Sequence, residues 1–157
     1  LDGTIQGVRR IATELRPGML DDLGLVPAME WQLQEFQKRS GIRCKFTSSL
    51  EEVLLDAETT TVLFRILQET LTNVARHAAA TRVDVSLDED EGYVRLRVQD
   101  NGRGITDSEK NGFKSFGLLG IRERVKLRSG YFHIQGKPGK GTLVVIRLPL
   151  IKGQEAL

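Results

Sequence analysis

From Glu58 to Ala79 the chain runs without a Gly or a Pro, and this stretch constrains the fold more than any other. Leu63, Ile66, Leu67, Leu71 and Val74 recur along it at spacings of three and four. That spacing predicts a helix roughly six turns long with one apolar side. Such a helix must bury that side against another layer, and the flanking segments supply a sheet. Ile42, Cys44 and Phe46 alternate with Arg43, Lys45 and Thr47, the pattern of a half-buried strand over 42–48. Strands are expected at 82–87 and 93–99 around the acidic segment 88–92, read as a solvated turn with Gly92 supplying positive φ. Two more, 131–135 and 142–150, flank a turn over 136–141.

Further helices are expected at 1–16, where Ile5, Val8, Ile11, Ala12 and Leu15 share a face before Pro17 and Gly18, and at 27–40, ending at Gly41. A last one, 117–129, carries Leu118, Ile121 and Val125. The expected class is α+β, a two-layer sandwich in which a mixed sheet packs helices on one face, preceded by a helical segment.

Charge narrows the function classes. Against 23 basic residues stand 21 acidic ones, and a net charge of +2 is too weak to argue direct nucleic-acid binding. No apolar run approaches the roughly 18 to 20 residues of a membrane helix, so no membrane contact is expected. A lone Cys44 excludes an intramolecular disulfide and a cysteine metal cluster, and it fits a reducing, cytoplasmic setting. The chain opens on Leu1, already inside a helical pattern, and is expected to be a piece of a longer protein.

Three constellations bear chemistry. On the long helix Glu69, Asn73 and His77 lie four residues apart and form one polar stripe, with Arg76 on the same side. A solvated face is the bland alternative, but Asn is a poor mid-helix residue. Its amide oxygen beside a carboxylate suits Mg²⁺, which takes hard oxygen ligands and is completed by water and phosphates. Asp100-Asn101-Gly102-Arg103-Gly104-Ile105 follows a strand directly and reads either as a tight turn or as a carboxylate held where glycines admit a ligand. Gly117-Leu118-Leu119-Gly120-Ile121 opens a helix, whose N-terminal amides suit phosphate. It lacks the Gly-Lys-Ser/Thr ending of a P-loop and the strand setting of a dinucleotide fingerprint.

In this order, the three elements resemble the ATP-binding domain of sensor histidine kinases, in the superfamily that also holds gyrase, heat-shock 90 chaperones and mismatch-repair ATPases (the Bergerat, or GHKL, fold). Residues 64–79 resemble the N box, 100–105 and 117–125 the two glycine boxes, and 139–144 the closing glycine-threonine motif. Residues 14–28 resemble the end of the dimerisation domain in nitrate sensors and membrane-fluidity thermosensors. The implied organisation is 1–24 as the end of a dimerisation and phosphoacceptor domain, 25–152 as the ATP-binding catalytic domain and 153–157 as a tail.

The resemblance implies a role for each residue. Asn73 would ligate Mg²⁺, and Glu69 would orient a metal-bound water or help activate the accepting imidazole. Arg76 would stand near the phosphates where the family usually has lysine, with His77 on the same side. Asp100 would accept a hydrogen bond from the adenine amino group, while Gly102, Gly104 and Ile105 turn the chain around the nucleotide. Gly117, Leu118, Gly120 and Ile121 would surround phosphates and base. Thr142 would close the adenine pocket, and residues 106–116 would form a lid.

Family members phosphorylate a histidine on the dimerisation helix, then pass the phosphoryl group to an aspartate of a response regulator's receiver domain. This chain holds only His77, inside the N box, and His133, in a strand pattern. The acceptor is therefore expected upstream of Leu1, in a homodimeric parent, and no autophosphorylation is expected of this chain alone. An anti-sigma-factor serine kinase and a regulatory module that holds nucleotide without chemistry share the fold. The helical lead-in of 1–40 disfavours the first, and Glu69 with Asn73 disfavours the second.

Overall fold

The computed structural model describes residues 18–50, 55–106, 108 and 117–150. The helix expected at 1–16, most of the lid and the tail lie outside them. Helix α1 (Gly18–Leu23) leads into α2 (Leu25–Ser40), followed by strand β1 (Arg43–Ser48) and helix α3 (Ala57–Asn73). A π-helical turn, Val74–Ala78, extends α3. Then come β2 (Arg82–Asp90), β3 (Tyr93–Asp100), α4 (Leu118–Leu127), β4 (Tyr131–Lys137) and β5 (Gly141–Pro149).

The five strands form one mixed sheet in the order β1-β2-β3-β5-β4. Strand β1 pairs parallel to β2, and every other pair is antiparallel. A parallel neighbour requires a crossover, which α3 supplies. Alternation along the strands sends Val83, Val85 and Leu87 of β2, Val94, Leu96 and Val98 of β3, and Val144, Ile146 and Leu148 of β5 to the buried face. There they join Leu63, Ile66, Leu67 and Leu71 of α3 and Ile121 and Val125 of α4 in one core. Leu20 of α1 and Leu25, Ala28 and Met29 of α2 belong to that core as well. The expected two-layer sandwich is therefore the fold observed.

Three local departures have physical causes. The segment Gly18–Leu23 forms helix α1, although Pro17 and Gly18 suggested only a break. The acidic segment is not a solvated turn. Asp88 and Asp90 continue β2, and only Glu91 (φ 51°) and Gly92 (φ 84°) make the turn, since a two-residue turn with positive φ at both positions matches strand twist. Their carboxylates are taken up on the open sheet face: Asp88 pairs with Arg95 at 2.9 Å and Asp90 with Arg147 at 3.1 Å. Finally, the long helix changes pitch after Asn73. The main-chain N–H of Arg103 donates to the Ala78 carbonyl at 2.7 Å, and its Nε donates to the His77 carbonyl at 2.6 Å, so a neighbouring loop captures the carbonyls that end the helix.

Candidate functional site

Strand β3 ends at Asp100, whose side chain continues the buried face of the sheet and is only 5% exposed. Its Oδ1 accepts from the amide of Gly102 at 2.8 Å and from that of Thr142 at 3.3 Å. Oδ2 has no hydrogen-bond partner among the described residues. Burial pushes the carboxyl above its ordinary value, and the two amide hydrogen bonds offset only part of that shift.

The loop after Asp100 is held from three sides. Asn101 Oδ1 accepts from the amides of Thr81 and Arg82 at 2.9 and 3.0 Å, while its Nδ2 donates to Thr81 Oγ1 at 2.8 Å. The Ile105 amide donates to Thr142 Oγ1 at 2.8 Å, which ties the loop to β5. Glycine is required where backbones touch. A Cβ on Gly102 would collide with the Ala78 carbonyl, and one on Gly141 (φ 104°) with the Asp100 carbonyl.

These elements enclose a pocket. One wall is α3 with its π turn, through Thr70, Asn73, Val74 and His77. Opposite stand Leu118 and Ile121 of α4; the sheet contributes Asp100, Ile134, Thr142 and Val144, and the loop adds Arg103, Gly104 and Ile105. Asp100 is the buried carboxylate among largely apolar walls, whereas Asn73 and His77 are half-buried and Arg103 is exposed. An apolar slot with one fixed carboxylate suits a flat heteroaromatic ring bearing an amino donor, and the more exposed polar residues suit an anionic extension.

The expected site residues divide accordingly. Asn73, His77, Asp100, Gly104, Ile105, Leu118, Ile121 and Thr142 line the pocket together. Gly102 is buried within the loop, against the Ala78 carbonyl, and is not among the pocket residues. Gly117 takes the left-handed conformation (φ 61°) that starts α4, and the Glu69 carboxylate lies where its Cβ would be. Gly120 is exposed, with open space around it. Glu69 and Arg76 are not among the pocket residues. Arg76 is exposed and lines a second groove with Phe36 and Arg39 of α2. An even polar stripe had assumed constant helical pitch, which the π turn breaks before Arg76.

Sequence reasoning missed Thr70, Val74, Ala78, Arg103, Ile134 and Val144 as pocket residues. Val144 was legible two positions beyond Thr142 on the same strand face. Ile134 reaches the pocket only because β4 pairs with β5 in the register Ile134↔Val144.

The donor set also bears on Mg²⁺. Among the described residues no three His, Cys, Asp or Glu side chains gather to hold a metal. The Asn73 amide oxygen on the pocket wall, one turn beyond Glu69, fits a hard, hydrated cation completed by water and ligand phosphates.

Residues 58–152 match the family described as histidine kinase-, DNA gyrase B- and HSP90-like ATPases. The chain is 36% identical over 143 residues to the signal transduction histidine-protein kinase/phosphatase DegS of Brevibacillus brevis, covering 91% of this chain and 37% of DegS. It is 43% identical over 122 residues to the sensor histidine kinase MctS of Rhizobium johnstonii, covering 78% of this chain and 26% of MctS. The chain thus spans about a third or less of the length of these relatives. Its fold is similar to the histidine kinase domain of the Erythrobacter litoralis blue-light-activated kinase EL346, with TM-score 0.65 and 23% identity over 81% of this chain and 61% of that one. On the family match and these relatives together, the chain belongs to the histidine kinase-, DNA gyrase B- and HSP90-like ATPases.

Proposed function

We propose that this chain is the ATP-binding catalytic domain of a two-component sensor histidine kinase that uses MgATP. The observation that carries the nucleotide reading is Asp100, a buried carboxylate with one oxygen fixed by two amides and the other without a partner among the described residues, in an apolar pocket. In this reading Oδ2 accepts the adenine amino hydrogen, and Val74, Leu118 and Ile121 enclose the ring. Asn73 would hold Mg²⁺ through its amide oxygen, and Glu69, one turn earlier and outside the pocket lining, would orient water beside it. Bound Mg²⁺ would neutralise charge on the phosphates. Arg103 is the cation the pocket already contains, and Arg76 joins it only by leaving the second groove.

The reaction is phosphoryl transfer. A histidine imidazole nitrogen forms a bond to the γ-phosphorus as the bond to the β-γ bridging oxygen breaks, and ADP leaves. Positioning and charge neutralisation supply most of the effect. The accepting histidine lies on a dimerisation domain of a homodimeric parent, of which residues 1–24 form the end. The phosphoryl group then passes to an aspartate on a response regulator's receiver domain. In this reading the domain works in the cytoplasm, in keeping with its lone Cys44.

Calorimetric titration with ATP, with and without Mg²⁺, tests the reading. Wild type binds in the micromolar to sub-millimolar range, Asp100→Asn abolishes binding, and Asn73→Ala removes the Mg²⁺ dependence. Absence of binding to the wild-type chain under all conditions overturns the proposal.

A further inference from the structure

Helix α4 forms one wall of the pocket through Leu118 and Ile121, and α3 forms the wall facing it. The spacing of the two helices therefore bears on the shape of the pocket they share. At the end of α4 remote from the pocket, Arg128 reaches across some seventy residues of sequence to the start of α3. Its Nη1 donates to Glu58 Oε2 at 2.7 Å, and its Nη2 donates to both Asp56 oxygens, at 3.2 and 3.1 Å, and to Thr59 Oγ1 at 2.5 Å. Asp56 is itself fixed, since it caps α3 by accepting from the Thr59 amide at 2.9 Å. Burial raises the Asp56 carboxyl, but the bonds from Thr59 and Arg128 outweigh it and hold the group below its ordinary value. The Arg128 side chain is 24% exposed, so the fork is partly shielded from water.

We infer that Arg128 is a positioning residue for the nucleotide pocket, latching α4 to the N-terminus of α3 and so setting the width of the slot between Leu118 and Val74. The inference rests on the nucleotide reading above. Gly117 (φ 61°) and Ser129 (φ 57°) bracket α4 in left-handed turns. Tight contact at Gly130, where a Cβ would meet the Arg147 carbonyl, determines where the chain leaves the helix. Ile121 and Val125 seat α4 on the core, and the fork ties its C-terminal end to the start of α3.

The test measures ATP affinity by calorimetry at low temperature for wild type, Arg128→Met, Arg128→Lys, Asp56→Asn and the Met/Asn double variant, each verified as folded by circular dichroism. Arg128→Met is expected to weaken ATP about tenfold, the effect of losing about 1.4 kcal/mol. Arg128→Lys, with charge but no fork, should recover part of the loss. The double variant should be no weaker than the worse single one, because both remove the same latch. A lower melting temperature with wild-type ATP affinity in Arg128→Met overturns the inference and leaves the fork a purely stabilising contact. Hydrogen exchange of the amides in Leu118–Leu127 provides a readout without nucleotide. Exchange should quicken there in Arg128→Met, and unchanged exchange overturns the inference even if wild type binds no ATP.

Discussion

Asp100 is where stability and function pull apart. Its folded carboxyl titrates above the ordinary value because burial penalises the charge. A carboxyl with a raised folded pKa lowers stability as pH climbs from its unfolded value through the folded one, and the deficit persists at neutral pH. Asparagine keeps an oxygen for the Gly102 and Thr142 amides and presents an amide donor where the second carboxylate oxygen stood. Asp100→Asn should therefore melt at or above the wild-type temperature at pH 7, with the advantage disappearing on acidification. Thermal denaturation between pH 4 and pH 8 checks this, and an asparagine variant clearly less stable than wild type at pH 7 refutes it. Asn101 is legible in sequence as part of a turn, yet its work is to clamp the loop to Thr81 and Arg82. That role depends on partners twenty residues away and leaves no local signature.

At the scale of elements, the turns that carry the site depend on close backbone approach. Gly141→Ala places a methyl against the Asp100 carbonyl at a φ of 104°. It should destabilise by about 1–3 kcal/mol and weaken ATP binding with it, as measured by denaturant unfolding and calorimetry. Gly120 is the contrasting case, helical and in open space. Gly120→Ala should raise stability by up to about 1 kcal/mol. If the ligand backbone approaches α4 closely, the same variant binds ATP more weakly, and unchanged affinity shows that Gly120 serves no such approach. The π turn belongs to this scale too. Residues 58–79 show unbroken helical periodicity, and the change of pitch comes where Arg103 captures the His77 and Ala78 carbonyls.

For the whole molecule, the pocket joins the sheet, α3 and α4, so a ligand filling it links elements otherwise joined through the core and the Arg128 fork. Nucleotide should accordingly stabilise the entire fold. At a hundredfold excess over its Kd, ATP with Mg²⁺ should add about 2.7 kcal/mol to unfolding, read as a rise of several degrees in melting temperature. Asp100→Asn should show no such rise. No helix among the described residues is long and apolar enough to cross a membrane.

The sequence by itself determined the class of the fold, the strand and helix order from residue 25 onward, and most residues that meet in the pocket. These follow from periodicity and from turn-forming glycines, which act over a few residues. Only the tertiary structure decided that Asp88 and Asp90 extend a strand, that Ile134 joins Val144 at the pocket and that Arg76 turns to another groove. Each of these depends on strand register or on a hydrogen bond between segments far apart in the chain, and local periodicity carries no information about either.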